Sequence, residues 1–298
     1  MANEYAAPVL RWYAANARDL PWRDPGASPW SVLVSEIMLQ QTPVARVVPA
    51  HAAWLERWPT PPSLAAATPG DAVRQWGRLG YPRRAVRLHE TARILTEDHG
   101  GQVPGSAEVL RGLPGVGSYT AAAVASFAFG QRHAVLDTNV RRVLARLIRG
   151  QDLPPRSTSA AEVTLAESLL PTVPRRAARW SVAVMELGAL VCTATRPDCG
   201  RCPVARHCAW RRAGSPPATV RPPAQRYAGT DRECRGRLLA VLREAAGPVP
   251  ATRFDVVWPD PEQRDRALNA LVSDGLAAAL ANDMYALPGH PARSCPGP

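Results

Sequence analysis

Residues 113–120 read Leu-Pro-Gly-Val-Gly-Ser-Tyr-Thr. A segment that overlaps the end of this stretch, residues 119–129, has the apolar spacing of a helix. Gly115 and Gly117 would let the backbone approach a phosphate closely, and the first turn of the helix would point its N–H groups at that phosphate. The same string also suits a helix–turn–helix corner in which the glycines serve packing. By itself, the stretch therefore leaves a phosphate-binding turn and a packing turn both open.

The sequence on either side of this turn predicts a mainly α-helical chain, because apolar residues recur at helical spacing and alternating strand patterns are scarce before the C-terminus. The predicted helices cover residues 30–41, 85–99, 119–129, 140–148 and 179–191.

The C-terminal part of the sequence changes in character. Residues 211–229 are rich in Arg, Pro and Ala and have no apolar periodicity, which predicts a linker. Beyond it, helices at 235–245 and 261–275 are followed by a possible hairpin within 276–287. This order is typical of a winged helix, so we expect a small winged-helix-like α+β domain over 230–290.

The charge of the chain indicates a polyanionic partner. Lys+Arg total 36 against 25 Asp+Glu, all the basic residues are arginine, and the net charge is +11. An arginine-biased genome would explain the preference for arginine, but the absence of lysine excludes catalysis through a lysine Schiff base. No apolar run approaches the ~18–20 residues of a membrane-spanning helix, and no secretory signal is apparent. We therefore expect a cytoplasmic protein without a membrane partner.

Four cysteines form a Cys-x6-Cys-x2-Cys-x5-Cys run at Cys192, Cys199, Cys202 and Cys208. In a cytoplasmic protein, thiols this close predict a metal site rather than disulfides. Coordination chemistry alone allows both zinc and an iron–sulfur cluster. Arginines interleave with the cysteines, so we expect this loop to present cations to phosphates.

Two carboxylates are candidates for acid–base chemistry. Glu36 lies in an otherwise apolar helix, where desolvation would raise its pKa into the range of a useful general acid. It could equally occupy the solvent edge of an amphipathic helix. Asp137 immediately precedes a helix and is first of all a candidate N-cap, which would also suit an ionised group that stabilises a cation.

Four stretches together resemble the MutY-type adenine DNA glycosylases of the endonuclease III, or helix–hairpin–helix, superfamily. The resemblance covers about residues 5–210 and rests on Ser-Glu-Ile-Met-Leu-Gln-Gln-Thr (35–42), the turn at 113–120, Leu-Asp-Thr-Asn-Val-Arg-Arg-Val (136–143) and Glu-Leu-Gly-Ala-Leu-Val-Cys (186–192), together with the cysteine spacing.

This resemblance implies a two-lobed fold. A six-helix barrel lobe would span residues 28–132 and contain the helix–hairpin–helix at about 106–125. An iron–sulfur cluster lobe would span 133–210 and bind a 4Fe-4S cluster through the four cysteines, and the N-terminal segment 1–27 would pack with it.

The resemblance also implies roles for individual residues. Glu36 would protonate adenine at N7, and Asp137 would stabilise the oxocarbenium ion or trap it transiently. Tyr119 would hydrogen-bond the catalytic carboxylates, and Asn139 would help to position Glu36 and water. Gly115 and Gly117 would bind a DNA phosphate, where a monovalent cation often assists.

Two further groups of residues match substrate-contacting segments, although core packing is the alternative for each of them. The adenine-pocket segment comprises Arg18, Leu20, Trp22 and Arg23. The residues that would contact or wedge beside the opposing guanine lesion are Gln41, Thr42, Leu79 and Tyr81.

Within the superfamily, two positions favour adenine excision. Endonuclease III-type enzymes, which remove oxidised pyrimidines and nick the strand, have a lysine where this chain has Tyr119. Thymine–guanine mismatch glycosylases lack the glutamate at position 36. We therefore expect a monomeric, monofunctional glycosylase that removes adenine opposite 8-oxoguanine or guanine in double-stranded DNA. The alternative enzymatic function is that of a DNA glycosylase that acts on thymine–guanine mismatches or on oxidised pyrimidines. The non-enzymatic alternative is an iron–sulfur regulator that binds DNA.

The sequence departs from the family pattern in two places. Residues 230–298 are too few for the Nudix-like C-terminal domain through which many MutY-type enzymes read 8-oxoguanine, so discrimination between 8-oxoguanine and guanine is in doubt. Thr138 replaces the glycine usual between the aspartate and the asparagine.

Overall fold

The computed structural model describes residues 4–218 and 227–290, in which helices predominate and one small sheet is present. The predicted linker 211–229 thus lies partly outside the described residues, as do residues 1–3 of the N-terminal segment. None of the helices in the two described ranges combines the length and apolar character needed to cross a bilayer. The helices are α1 Ala6–Asn16, α2 Pro29–Leu39, α3 Val44–Arg57, α4 Pro61–Ala65, α5 Pro69–Trp76, α6 Arg83–Asp98, α7 Ala107–Arg111, α8 Ser118–Phe129, α9 Thr138–Leu147, α10 Ala160–Ser168, α11 Pro174–Leu190, α12 Ala209–Arg212, α13 Asp231–Glu244, α14 Thr252–Asp255 and α15 Pro261–Ser273.

The mainly helical fold predicted from the sequence is confirmed, and the predicted segments match α2, α6, α8, α9 and α11 to within a few residues at most ends. The largest difference is at α11, which begins at Pro174 rather than at residue 179. Proline at the first turn of a helix is favourable, because its missing N–H would be unbonded there in any case.

The described residues form two compact units, and each is built from segments that are distant in sequence. The first unit contains the residues up to Glu36, Pro104–Gly112, and the described residues from Val116 to 218. The second contains Ile37–Val103, Leu113–Gly115 and the described residues from 227 onward. The boundary thus falls within α2, directly after Glu36.

The core of the first unit is organised around α11. Helices α1, α8 and α9 pack against it, and α7 packs against α8. Helix α9 turns an apolar stripe towards this core through Val140, Val143, Leu144 and Leu147, which lie at helical spacing. An added Cβ on Gly188 of α11 would lie only 2.7 Å from Asn139 Cβ, so this glycine allows α9 and α11 to approach closely.

The second unit packs α4 and α5 against α6. Trp54 of α3 is fully buried and lies edge-on to Trp58 and Trp76, with ring centroids 4.7 Å and 5.7 Å away. Such aromatic contacts bury large apolar areas and anchor the core of this unit.

The C-terminal part of the second unit has the helix and strand order of a winged helix. It consists of α13, β1 (Val249–Pro250), α14, α15, β2 (Ala278–Leu280) and β3 (Met284–Ala286), and the sheet order is β1-β3-β2 with antiparallel pairing. The predicted hairpin is β2–β3, and its turn residues Asn282 and Asp283 have φ of 58° and 53°, values that these two residue types tolerate well. Strand β1 and helix α14 were not predicted, because elements of two and four residues are too short to show a periodicity.

Candidate active site

Glu36 is buried in the apolar face of α2, with 4% of its surface exposed. Burial raises the pKa of its carboxyl to about 7; the hydrogen bond from Tyr119 opposes this shift, the negative charge of Asp137 adds to it, and Arg23 opposes it. Its Oε2 atom is buried and has no hydrogen-bond partner among the described residues. The solvent-edge interpretation of Glu36 is therefore wrong, and burial brings the pKa of this carboxyl into the neutral range, where a general acid is useful.

Tyr119 lies in the first turn of α8, and its hydroxyl donates a hydrogen bond to the Glu36 carboxyl. Burial and the nearby Glu36 and Asp137 charges raise the pKa of Tyr119 well above its ordinary value of 10.0. The phenol consequently stays protonated and acts as a fixed hydrogen-bond donor. The structure thus brings Glu36, Tyr119 and Asp137 to one site within the first unit.

Asp137 is the N-cap of α9. Its Oδ1 accepts a hydrogen bond from the Val140 amide at 2.6 Å, and its Oδ2 accepts one from Asn139 Nδ2 at 2.7 Å. Burial raises the pKa of Asp137, although these hydrogen bonds and Arg142 act in the opposite direction. Asp137 is thus the N-cap predicted from the sequence and lies in the same site as Glu36 and Tyr119.

Asn139 connects Asp137 to the cysteine region. Its Oδ1 accepts a hydrogen bond from Arg142 Nη2 at 2.7 Å, so the orientation of its amide is fixed by partners on both sides. Arg142 also donates to the carbonyls of Gly188 and Cys192, both at 2.7 Å. A continuous chain of hydrogen bonds therefore runs from the carboxylate of Asp137 to the backbone of Cys192. Thr138 is exposed, and nothing in the structure explains its presence in place of glycine.

Glu186 of α11 is a site residue to which the sequence analysis gave no role. Its side chain is fully buried; Arg18 donates to it from Nε at 2.8 Å and Nη2 at 2.7 Å, and Arg23 donates from Nη2 at 2.8 Å. Burial alone would raise the pKa of Glu186, but the two arginines outweigh it and lower the pKa to about 2. The sequence offered one signal for this role. Glu186 is the single acid in the apolar stretch of α11, and the predicted adenine pocket contains two arginines with which such an acid can pair.

Arg23 differs from Arg18 in one respect that concerns a ligand. Its Nη1 is buried and has no hydrogen-bond partner among the described residues, although its charge is close enough to affect Glu36. Leu20 and Trp22, from the same predicted pocket segment, are both buried in the first unit. Their burial fits core packing as well as it fits a pocket wall.

The residues predicted to contact the guanine lesion lie in the second unit on two adjacent loops. Gln41 and Tyr81 are exposed and have positive φ angles of 58° and 47°, which non-glycine residues rarely adopt. Thr42 and Leu79 are buried, and Thr42 Oγ1 donates to the Leu79 carbonyl at 3.3 Å. Gln41 and Tyr81 are thus exposed to solvent on strained backbone. The hydrogen bond between buried Thr42 and Leu79 joins the two loops.

Arg84 is the buried cation that supports both loops, and the sequence analysis did not single it out. Its Nη1 donates to the carbonyls of Ile37, Met38 and Gln40, at 2.9, 2.8 and 2.6 Å, and so caps the C-terminus of α2. Its Nη2 donates to Thr42 Oγ1 at 2.8 Å and to the Gly80 carbonyl at 2.9 Å. Burial lowers the pKa of Arg84 to about 10.

The glycines of the predicted phosphate-binding turn lie between α7 and α8. Gly115 has φ of 79°, the left-handed region that favours glycine, and its carbonyl accepts a hydrogen bond from Gln40 Nε2 at 3.3 Å. Gly117 is the exposed N-cap of α8, and a Cβ added there would meet nothing within 4 Å. The left-handed φ of Gly115 thus explains why the turn has glycine at this position. No neighbouring atom requires glycine at position 117, which lies in open space at the start of α8.

The cysteine run follows α11 and packs on the core of the first unit. Buried Arg146 donates a hydrogen bond from Nη1 to Cys192 Sγ at 3.4 Å and forms an ion pair with Asp152 at 2.7 Å. Its backbone carbonyl accepts a hydrogen bond from Cys208 Sγ at 3.4 Å. The four cysteines of the run are in no disulfide, and Arg196, Arg201 and Arg206 between them are exposed.

The cysteine run supplies the four thiols that a thiolate-bound cluster needs. Four thiols beside a buried cation fit an anionic iron–sulfur cluster, and they also fit zinc. Within residues 4–218 and 227–290, however, no three or more His, Cys, Asp or Glu side chains are arranged so that they could hold a metal ion as they stand. The residue types therefore fit a metal group that is bound by thiolates.

Known proteins are similar to this chain in both sequence and fold. A family model for the HhH-GPD superfamily of base excision DNA repair proteins matches residues 34–167. An adenine DNA glycosylase of Mycolicibacterium smegmatis is 52% identical over 283 residues, which cover 95% of each chain. A thermostable thymine-DNA glycosylase has a TM-score of 0.64 at 28% identity, over 70% of this chain and 95% of that one.

Endonuclease III in a trapped covalent intermediate with DNA has a TM-score of 0.59 at 23% identity, over 70% of this chain and 94% of that one, which shows likeness of fold. Because the Mycolicibacterium relative is similar along almost the whole of both chains, the family predicted from the motifs is confirmed. This chain belongs to the MutY-type adenine DNA glycosylases, within the HhH-GPD superfamily of base excision DNA repair proteins.

Proposed function

We propose that this protein is a monofunctional DNA glycosylase that removes adenine mispaired with 8-oxoguanine or guanine in double-stranded DNA. The observation that carries the proposal is the unpartnered Oε2 of Glu36, a buried acid whose pKa is about 7. Buried polar atoms without partners are rare in folded proteins, and one at a perturbed carboxyl is typical of a catalytic group awaiting its substrate.

The proposed reaction begins with proton transfer from Glu36 to N7 of a flipped-out adenine. Protonation makes the base a better leaving group, so the bond between C1′ and N9 breaks and its electron pair stays with the adenine. The deoxyribose becomes an oxocarbenium ion, and Asp137, at the N-terminus of α9, stabilises its positive charge. Water then adds to C1′ and returns a proton to Glu36, which leaves an abasic site and restores the acid.

Recognition of the leaving base is assigned to the arginine pair on Glu186. Arg23 Nη1 is a buried donor without a partner, and adenine offers ring nitrogens as acceptors. Glu186 would fix both arginines, since it forms ion pairs with both at 2.7–2.8 Å. In this proposal Arg23 contacts the base, and Arg18 holds the carboxylate that positions Arg23.

The proposal of monofunctional chemistry rests on the absence of lysine from the sequence. Strand cleavage by β-elimination uses an amine that forms a Schiff base with C1′. The resemblance to the superfamily implies that Tyr119 stands where the strand-cleaving members have this lysine. A phenol has no amine nitrogen and therefore cannot form this Schiff base. The product should therefore be an intact strand with an abasic site.

The remaining contacts to DNA are assigned to exposed elements. Gln41 and Tyr81 would contact the base opposite adenine, because they are exposed on strained backbone. The turn with Gly115 and Gly117 would bind a phosphate, with a monovalent cation as an aid. A monomer acting on the nucleoid is sufficient for this chemistry, since every proposed catalytic residue comes from one chain.

The test is a strand-cleavage assay on duplexes that contain adenine opposite 8-oxoguanine, adenine opposite guanine, thymine opposite guanine, or thymine glycol opposite adenine. We expect breaks only in the first two duplexes, and only after alkali has opened the abasic site. An Asp137→Asn preparation purified in the same way controls for contaminating glycosylases. Excision of thymine or thymine glycol, or strand breaks without alkali, would show that the proposed specificity is wrong.

We further propose that Cys192, Cys199, Cys202 and Cys208 hold a 4Fe-4S cluster. The four thiolates would hold the cluster and would thereby be linked across residues 192–208, and the buried charge of Arg146 would offset the negative charge of the bound group. Elemental analysis of anaerobically purified protein should give about four iron and four sulfide per chain. Cys202→Ser should lose both, whereas Cys234→Ala, at a buried cysteine outside the run, should retain them. Stoichiometric zinc in place of iron would contradict the assignment.

A further inference from the structure

The C-terminal domain, residues 231–290, is joined to α5 by a close backbone contact. The amide of Gly70, in the first turn of α5, donates to the Pro288 carbonyl at 2.8 Å. A Cβ added at Gly70 would lie 2.6 Å from that same oxygen and 3.0 Å from Leu287 Cβ. The absence of a side chain at position 70 is therefore a condition of this contact.

Two arginines cross between α5 and the end of α13. Arg74 donates to the carbonyls of Arg243 and Ala245, at 3.1 Å and 3.2 Å, and so satisfies the C-terminus of α13. In return, Arg243 donates to the Val73 carbonyl at 3.1 Å. The reciprocal bonds fix the rotation of α5 relative to α13, which a single contact would not do.

A further contact lies at the start of α6. Arg83 Nη1 is 3.2 Å from Asp274 Oδ1, and Arg235 of α13 binds the other carboxylate oxygen of Asp274. The loop 77–82, which carries Leu79 and Tyr81, runs from the end of α5 to Arg83. Both of its ends are thus attached to the C-terminal domain.

We infer that the C-terminal domain is a brace for loop 77–82 and thereby determines how strongly the enzyme prefers 8-oxoguanine over guanine opposite adenine. Tyr81 is 49% exposed with φ of 47°, a conformation that persists only where the surroundings fix it. The inference rests on the proposed function, in which Tyr81 contacts the base opposite adenine.

The charges of the domain favour this role over independent DNA binding. The helix in the recognition position of a winged helix is α15, and its two acids, Glu262 and Asp265, balance its two arginines, Arg264 and Arg266. Arg264 is moreover paired with Asp255 at 2.9 Å. A helix without excess positive charge provides little attraction for phosphates, in contrast to the net charge of +11 of the whole chain.

Two variants of the full chain test the brace, and one variant serves as a control. Gly70→Ala places a methyl group against Pro288, and Arg83→Gln removes an exposed ion pair without any risk to the core. Gly236→Ala is the control: it makes the same change within α13, where the new Cβ would meet only Tyr227 Oη at an ordinary 3.5 Å. Each variant is compared with wild type in hydrogen exchange of residues 77–82 and in single-turnover adenine excision opposite 8-oxoguanine and opposite guanine.

We expect faster exchange in the loop for both test variants and unchanged exchange for the control. The rate preference for 8-oxoguanine should fall roughly two- to five-fold in Arg83→Gln and about ten-fold in Gly70→Ala. Wild-type exchange and wild-type preference in both test variants would overturn the inference, as would a loss of preference in Gly236→Ala. If wild type itself releases no adenine, the proposed function fails, whereas the exchange measurement still decides whether the brace exists.

Discussion

At the scale of single residues, burial of the Glu36 carboxyl makes stability depend on pH. Its pKa in the folded protein, about 7, lies above the ordinary 4.5, so folding favours the protonated form. The stability that this form provides is fully present below about pH 4.5 and is lost as the pH rises through 7, by on the order of 3 kcal/mol.

We therefore predict that Glu36→Gln, which is neutral at every pH, is more stable than wild type above about pH 7 and gains little near pH 5. Urea unfolding at both pH values measures the difference. Glu167→Gln, at an exposed position, is the control and should show no such dependence. Equal stability of Glu36→Gln and wild type at alkaline pH would mean that position 36 is hydrated in the folded protein.

A second prediction at this scale concerns Arg84. Replacement by Met leaves the carbonyls of Ile37, Met38 and Gln40 without their donor, so we expect the free energy of unfolding to fall by about 2–4 kcal/mol. Arg84→Lys should recover only part of the loss, because one ammonium cannot reach all these acceptors. Arg93→Met, on the exposed face of the same helix, is the control, and a loss as large in Arg93→Met would contradict the account.

Residue roles could be predicted where the sequence itself marks a conflict. An acid amid apolar residues marked Glu36, and a capping pattern marked Asp137. Arg84 has no such mark, since arginine is the sole basic residue of this chain apart from histidine, and its partners are backbone oxygens that any sequence would supply. Glu186 was missed, because its two arginines are distant in sequence and meet it only after folding.

At the scale of elements, the packing of α9 on α11 determines the geometry of Asp137 and Asn139. An added Cβ on Gly188 would lie 2.7 Å from Asn139 Cβ and 2.8 Å from the Asn139 carbonyl oxygen, so a substitution must displace the backbone of α9. We predict that Gly188→Ala lowers the single-turnover rate of adenine excision by about ten- to a hundred-fold, because a displaced catalytic group loses its alignment.

The matched control for this prediction is Gly236→Ala, which also replaces a helical glycine but without a short contact. Thermal unfolding of both variants separates misalignment from a general loss of structure. A wild-type excision rate in Gly188→Ala would show that the close approach of the two helices is not needed to position Asp137.

Length explains only part of which elements were predicted. Helix α3, with 14 residues, was missed although α9, with 10, was predicted; α3 contains Pro49, which is unfavourable inside a helix. Long helices such as α6 and α8 repeat their apolar pattern several times, which fixes their position to within a few residues. The two-residue strand β1 depends on its pairing with β3, through Val249 and Tyr285, and this long-range contact leaves no local pattern.

At the scale of the whole molecule, the excess of arginine should dominate the affinity for DNA. Binding releases counterions from the phosphates, so the logarithm of the affinity should fall with the logarithm of the salt concentration by about 0.9 for each phosphate neutralised. Arg196→Gln, at an exposed residue of the cysteine loop, should make this slope shallower by about 1.

Fluorescence anisotropy on an undamaged duplex over a series of salt concentrations measures this slope. Arg237→Gln is the control, because Arg237 is paired with Glu233 at 2.8 Å within the C-terminal domain. A slope near zero for wild type, or a slope that Arg196→Gln leaves unchanged, would contradict a phosphate-binding role for the cysteine loop.

The boundaries of the two compact units leave no local pattern in the sequence. Residues 113–115 belong with the second unit and Val116 with the first, so the boundary passes through a turn that reads as one motif. Periodicity predicts which face of a helix is buried, but the partner of that face is decided by contacts between segments far apart in the chain.

The central claim is that Glu36 gives its proton to the departing adenine while Asp137 stabilises the sugar cation. The most direct measurement is the single-turnover rate of adenine release opposite 8-oxoguanine, as a function of pH, for wild type and Glu36→Gln. For wild type we predict a rate that falls as the pH rises through about 7, where the pKa of Glu36 lies. For Glu36→Gln we predict a rate lower by about a hundred- to ten-thousand-fold, with that decline absent and DNA binding retained. A wild-type rate in Glu36→Gln would contradict the claim.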